Sequence, residues 1–273
     1  MSSYSQQKIS KVTTAHLRAM KDAGEKIACI TAYDYTMARL VDAAGIDVVL
    51  VGDSAANVMM GYDTTIPITL DDMITFSKGT VRGVNRALVV VDLPFGYYQG
   101  GIDKAVDSAV RVMKETGAAA LKLEGGVEIC EQIKHILAAG IPLCGHLGLT
   151  PQSVNKFGGY GLRAKSEAEA ERLMNDALML QDLGCFAVVL EKIPANLAEK
   201  VTRQLSIPTI GIGAGSATDG QVLVVQDMLG MNDGFKPKFM RYFGHIGESI
   251  KSSVNDYVDE VKKQTFPSSE ESY

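Results

Sequence analysis

Short runs of branched apolar residues recur along the chain, and each ends abruptly on a polar or ionisable group. Val48-Val49-Leu50-Val51 runs into Gly52, Asp53 and Ser54. Residues 88–91 end on Asp92, residues 120–123 on Glu124, residues 142–145 on His146 and residues 187–190 on Glu191. Such runs read as parallel strands buried on both faces. The whole pattern predicts strands over 26–32, 47–52, 87–92, 118–123, 141–146, 186–191, 207–212 and 222–226. Between them, apolar residues at helical spacing predict helices over 13–23, 36–44, 69–82, 103–116, up to 139, 166–183 and 196–205, with a last one over 237–263. Thr69 with Asp72, and Ser166 with Glu169, have capping-box spacing, and Gly24, Gly45, Gly117 and Gly184 stand where helices stop.

Eight strands alternating with helices point to an α/β fold, a (β/α)8 TIM barrel. The weak point is residues 213–221, too short for a full helix between the last two strands. A doubly wound open sheet is the alternative, but no GxGxxG opens the chain as that fold usually requires. Residues 1–265 are read as one barrel domain and the Ser/Glu-rich residues 266–273 as a loose tail.

The length of 273 residues suits a single barrel. A net charge of -5 without a Lys/Arg cluster argues against nucleic acid as a partner. The four cysteines are scattered, suiting free thiols in a reducing compartment, and no CxxC suggests zinc. No apolar run is long enough to cross a membrane, so the chain is read as soluble and cytoplasmic.

The polar strand ends carry the chemistry. Alternate residues of a barrel strand face inward, so Lys122 and Glu124 share the interior. A buried ammonium needs Glu124, another carboxylate or an anionic ligand beside it. Asp53 and Asp92 close neighbouring strands about 4.8 Å apart. Two carboxylates so close call for a proton or a cation between them, and Mg²⁺ held by one or two carboxylates fits. Glu124 is either a third ligand or the holder of a coordinated water. His146 is either a hydrogen-bonded structural residue or a partner in proton transfer beside the carboxylates. Glu191, across the barrel, is placed to act as a base. Gly211, Gly213 and Gly215 are read either as a phosphate loop or as turn geometry, and the Gly-rich residues 156–161 as an irregular functional loop. A cation beside a lysine, with a separate base, suits an α-keto acid whose enolate the metal stabilises.

Several stretches resemble the ketopantoate hydroxymethyltransferase (3-methyl-2-oxobutanoate hydroxymethyltransferase) family. They are residues 30–35, Val51-Gly52-Asp53-Ser54, Asp92-Leu93-Pro94-Phe95, residues 122–126, residues 157–160, residues 210–215 and residues 218–221. The most specific is Cys144-Gly145-His146-Leu147-Gly148-Leu149-Thr150-Pro151-Gln152-Ser153. The resemblance implies a barrel of the phosphoenolpyruvate/pyruvate type. It implies transfer of a hydroxymethyl group from 5,10-methylenetetrahydrofolate to 3-methyl-2-oxobutanoate, forming ketopantoate on the way to pantothenate. By motif, Asp53 and Asp92 match Mg²⁺ ligands, with Glu124 as a metal-site carboxylate; Asp53, Ser54, Asp92 and Lys122 match the keto-acid site, and Glu191 the proton acceptor. A homodecamer is also implied. The chain departs from the family pattern at Tyr62, where His is usual, and at Gly161, where Lys is usual; neither is a metal or catalytic position. Two other readings are a Mg²⁺-dependent C–C lyase or mutase on a related barrel and a non-catalytic keto-acid-binding protein. Such lyases typically carry a loop cysteine, which residues 156–165 lack, and intact Lys122 and Glu191 argue against the sensor.

Overall fold

A computed structural model describes residues 10–232 and 237–273. They fall into two compact units that divide between Leu223 and Val224. The first unit runs α1 (Thr14–Asp22), β1 (Ile27–Thr31), α2 (Tyr35–Ala43), β2 (Val48–Val51), α3 (Ala55–Val58), α4 (Leu70–Gly83), β3 (Leu88–Asp92), α5 (Ile102–Thr116), β4 (Ala120–Glu124), α6 (Cys130–Ala138), β5 (Leu143–Gly148), α7 (Val154–Phe157), α8 (Glu167–Leu183), β6 (Ala187–Glu191), α9 (Ala195–Gln204), β7 (Thr209–Ile212) and β8 (Gly220–Leu223). The strands form one closed barrel in chain order, each pair parallel.

The caps follow the sequence. Thr69 and Asp72 make a reciprocal capping box at the start of α4, and Ser166 accepts from the Glu169 N–H to start α8. Each such cap contributes about 1 kcal/mol. Asp34 caps α2 by accepting from the Met37 N–H at 2.9 Å. Thr13 and His16 cap α1, whose Leu17 joins Val12 in the apolar cluster with Cys29, Val48, Leu88, Ala120, Cys144, Ala187, Ile210 and Val222. Those partners come from strand after strand, so Val12 and α1 fill the N-terminal end of the bore. Burying the Leu17 side chain there contributes on the order of 2 kcal/mol.

Closure needs no helix between β7 and β8. Asp219 instead straps the connection, its carboxylate accepting from the Thr209 N–H at 2.8 Å and from Lys21 at 2.7 Å. β8 begins two residues earlier than the expected 222–226 and gives way to a helical turn, α10 (Val225–Met228). The cause is Gly220, which pairs with Ile27; a Cβ there would lie 2.5 Å from the Ile27 carbonyl oxygen, so only glycine brings the last strand this close to the first. Within the expected irregular loop, residues 156 and 157 end the short helix α7, which Gly158 closes in the left-handed region.

In the second unit the last helix is α11 (Ile246–Lys263), starting nine residues after the expected 237. Gly244, a poor helix former, precedes it, and a Cβ on the neighbouring Gly230 would lie 2.7 Å from the Gly244 carbonyl oxygen. No residue of α11 is buried, and Ile246, Ile250, Val254, Tyr257 and Val261 are exposed along it. None of the described helices is long and apolar enough to cross a membrane.

Candidate active site

The ionisable strand ends expected to converge do so at the C-terminal end of the barrel, the end where such folds place their chemistry. The register sets Asp92 beside Lys122, Glu124 beside His146, and Gly148 beside Glu191. Asp53 follows β2, and its backbone N–H donates to Asp92 Oδ2 at 3.1 Å. Lys122 Nζ lies 3.2 Å from Asp92 Oδ2, 3.9 Å from Glu124 Oε1 and 3.1 Å from His146 Nδ1. His146 continues the chain of contacts, with Nδ1 3.3 Å from Glu124 Oε1 and Nε2 3.3 Å from Glu191 Oε2. Asp53, Asp92, Lys122, Glu124 and His146 are all buried, while Glu191 is partly open.

The charges of this cluster do not balance. Burial pushes Lys122 down, but Asp92, Glu124 and Asp53 more than offset it and hold the ammonium above its ordinary value. Burial, with Lys122 nearby, lowers His146 to about 4, so it is neutral at pH 7. Lys122 has no acceptor lone pair, so it donates to Nδ1 and the imidazole proton sits on Nε2, facing Glu191. Burial raises Asp53, Asp92 and Glu124 each to about 7. Three carboxylates against one ammonium leave two negative charges uncompensated when all are ionised.

That surplus fits a divalent cation, and so do the free lone pairs. Asp92 Oδ1 and Glu124 Oε1 are buried without a hydrogen-bond partner. Among the described residues no three His, Cys, Asp or Glu side chains converge as a ready-made metal cluster. Mg²⁺ asks less than that, because one or two carboxylates serve it when waters and substrate oxygens complete the octahedron.

Ser54 sits at the start of the turn after Asp53, its hydroxyl 2.8 Å from the Tyr33 hydroxyl. Tyr33 is buried, and burial raises its phenol, keeping it protonated. Sequence reasoning gave Tyr98 no role, and Tyr33 and Gln152 only a place in a motif. A buried tyrosine or amide looks like ordinary core until its partners are known. Here Gln152 contacts Asp53 and Glu124 directly.

Gly211, Gly213 and Gly215 behave as close-packing and turn residues. A Cβ on Gly211 would lie 2.6 Å from Thr218 Oγ1, one on Gly215 2.6 Å from Ala195 Cβ, and Gly213 and Gly215 have positive φ. Tyr62 is exposed with its carbonyl held by the Asn57 amide, and Gly161 has open space where a Cβ would project.

The profile of a family described as ketopantoate hydroxymethyltransferase matches residues 11–269. A protein of Phocaeicola vulgatus named 3-methyl-2-oxobutanoate hydroxymethyltransferase is 62% identical over 263 residues, covering 96% of both chains. One of the same name from Porphyromonas gingivalis is 59% identical over the full length of both. Among solved structures, the fold is similar to a phosphoenolpyruvate phosphomutase from Streptomyces platensis, with TM-score 0.61 and 15% identity over 92% of this chain and 88% of that one. It is also similar to 2,3-dimethylmalate lyase, of the PEP mutase/isocitrate lyase superfamily, with TM-score 0.58 and 16% identity over 93% and 89%. At such identities the structural likeness concerns the barrel alone.

Proposed function

The chain belongs to the ketopantoate hydroxymethyltransferase family, and from that premise we propose that it transfers a hydroxymethyl group from 5,10-methylenetetrahydrofolate to 3-methyl-2-oxobutanoate, giving ketopantoate for pantothenate synthesis. The observation that carries this reading is the buried cluster of three carboxylates and one ammonium beside a separate carboxylate, Glu191.

Asp53 and Asp92 are the residues to hold Mg²⁺, with Glu124 either binding it or holding its water. When bound, the ion supplies Lewis acidity toward the keto oxygen. Lys122 and Ser54 hold the keto acid, with the ammonium facing its negative charge and the serine hydroxyl steadied by Tyr33. Glu191 takes the proton from C3 of the keto acid, and that carbon bonds to the methylene carbon of the folate. The two N–CH2 bonds break, a water supplies the hydroxyl oxygen, and tetrahydrofolate leaves with the C3 proton and one water proton on its nitrogens. His146 is neutral and stands with Nε2 3.3 Å from Glu191 Oε2, so it lies beside the base without competing for the proton. Burial of the cluster strengthens each of these electrostatic contacts relative to water.

We place the reaction in the cytoplasm, a reading that the four free cysteines suit, and infer a homodecamer from the family. The direct test is incubation of the purified protein with Mg²⁺, the keto acid and methylenetetrahydrofolate, followed by mass spectrometry for ketopantoate; no product refutes the reading. In Glu191→Gln, keto-acid binding survives while exchange of its C3 proton into deuterated water falls by roughly 10²-fold or more, a typical loss for a general base. Undiminished exchange removes Glu191 from that role.

A further inference from the structure

Gln152 is a buried amide in the turn Pro151–Ser153 after β5, and it joins three strand ends at once. Its backbone N–H donates to Glu124 Oε2 at 2.9 Å. Its side-chain Nε2 donates to Asp53 Oδ2 at 2.8 Å and to the Leu93 carbonyl at 3.0 Å. Its Oε1 accepts from the Tyr98 hydroxyl at 2.7 Å and from the Gln99 amide at 3.0 Å. Tyr98 is itself fully buried, and its oxygen accepts the Glu124 N–H at 3.1 Å. The hydroxyl hydrogen has two acceptors in reach, and the one at Gln152 is nearer than the Glu124 carbonyl at 3.0 Å.

The sense of the amide is therefore fixed. Reversed, its oxygen would face a carboxylate and a carbonyl, and its NH₂ would face another NH₂. All four positions of the side-chain amide are matched only one way round. Turned that way, one residue pins one oxygen of Asp53 and one oxygen of Glu124. Glu124 Oε1 is left without a hydrogen-bond partner, as is Asp92 Oδ1 beside it in the cluster.

We propose that Gln152, latched by Tyr98, is a positioning residue that holds the carboxylates of Asp53 and Glu124 in the arrangement that receives the cation. This rests on the proposed function, in which these carboxylates serve Mg²⁺. The partners that orient ligating groups typically change metal affinity about 10–100-fold when removed. An amide kept only to satisfy the core would change stability and leave that affinity alone.

The test is calorimetric titration of Mg²⁺ into wild type and Gln152→Met, an apolar side chain of similar length, with kcat measured against Mg²⁺ concentration in parallel. We expect the Mg²⁺ Kd to rise about 10–100-fold, with much of the lost kcat recovered at saturating Mg²⁺. Tyr98→Phe removes the latch but keeps the amide, and weakens Mg²⁺ in the same direction by less. The double variant binds no worse than Gln152→Met alone, because the two act through one arrangement. If Gln152→Met does not fold, Tyr98→Phe decides the matter on the same measurement. A lowered Tm with an unchanged Mg²⁺ Kd overturns the proposal. Wild type that binds no Mg²⁺ overturns the proposed function itself, and so the two failures are told apart.

Discussion

With Lys122 held charged and His146 held neutral, the buried carboxylates have a surplus of negative charge that either protons or a cation must answer. Asp53, Asp92 and Glu124 bind protons more readily folded, near 7, than their ordinary values of 3.8 and 4.5 allow. Groups raised in this way make the cation-free protein more stable as pH falls from above 7 toward 4. His146, lowered from 6.5 to about 4, opposes them between those values, one group against three. With Mg²⁺ chelated, the protein should therefore melt higher at pH 6 than at pH 8. Mg²⁺ binding at pH 6 should expel protons, giving calorimetric enthalpies that differ between buffers of different ionisation enthalpy. Identical enthalpies would contradict the placement of the cation. Asp53→Asn keeps the acceptor for Gln152 and removes a charge. At pH 8 without metal it should raise Tm by about 2–4 °C, a gain of about 1 kcal/mol, while abolishing Mg²⁺ binding.

At the level of elements, the site depends on how β5 and β6 end together. Gly148 has φ +94°, and a Cβ there would lie 2.3 Å from the Glu191 carbonyl oxygen and 2.7 Å from Ile193 Cγ2. The Leu149 N–H donates to that same oxygen at 2.8 Å. Gly148→Ala must part the two strand ends, at about 1–3 kcal/mol for the backbone conformation alone. It should lower Tm and, by displacing Glu191, slow C3 proton exchange more than it weakens keto-acid binding; an unchanged exchange rate would show that β6 keeps its place without the glycine. Elements of this kind were readable where apolar runs and caps repeat, as at Val48–Val51 and at the Thr69–Asp72 box. The apolar pattern places β8 late because its start is a glycine and its end continues in apolar residues that turn helical, leaving no polar stop to mark it. The carboxylates, Lys122, His146 and Glu191 were legible because an ionisable group at the end of an apolar strand is costly to bury and so marks a site. Gln152 and Tyr98 were not, because their importance lies in which atoms they face, across up to 99 residues of chain for Gln152 and Asp53.

For the whole molecule, α11 poses the question of assembly. Its exposed Ile246, Ile250 and Val254 recur every four residues, and Val261 continues the apolar character toward its end. A stripe of that kind on a helix with nothing buried suits contact with another copy, in keeping with the proposed homodecamer. Ile250→Glu together with Val254→Glu should lower the mass seen by light scattering while circular dichroism retains the barrel's signal. An unchanged mass assigns the contacts between copies to other surfaces.

Val12 and Leu17 plug the bore from beneath. Side chains from every strand pack the interior above them, so reactants enter from the C-terminal end alone and must queue. Whatever sits deepest, against Asp53 and Asp92, goes in first and comes out last. The keto acid should therefore precede the folate, and tetrahydrofolate should leave before ketopantoate. Product-inhibition kinetics should show ketopantoate competing with the keto acid alone; random order in those patterns would mean that the two reactants reach the floor of the site by separate routes.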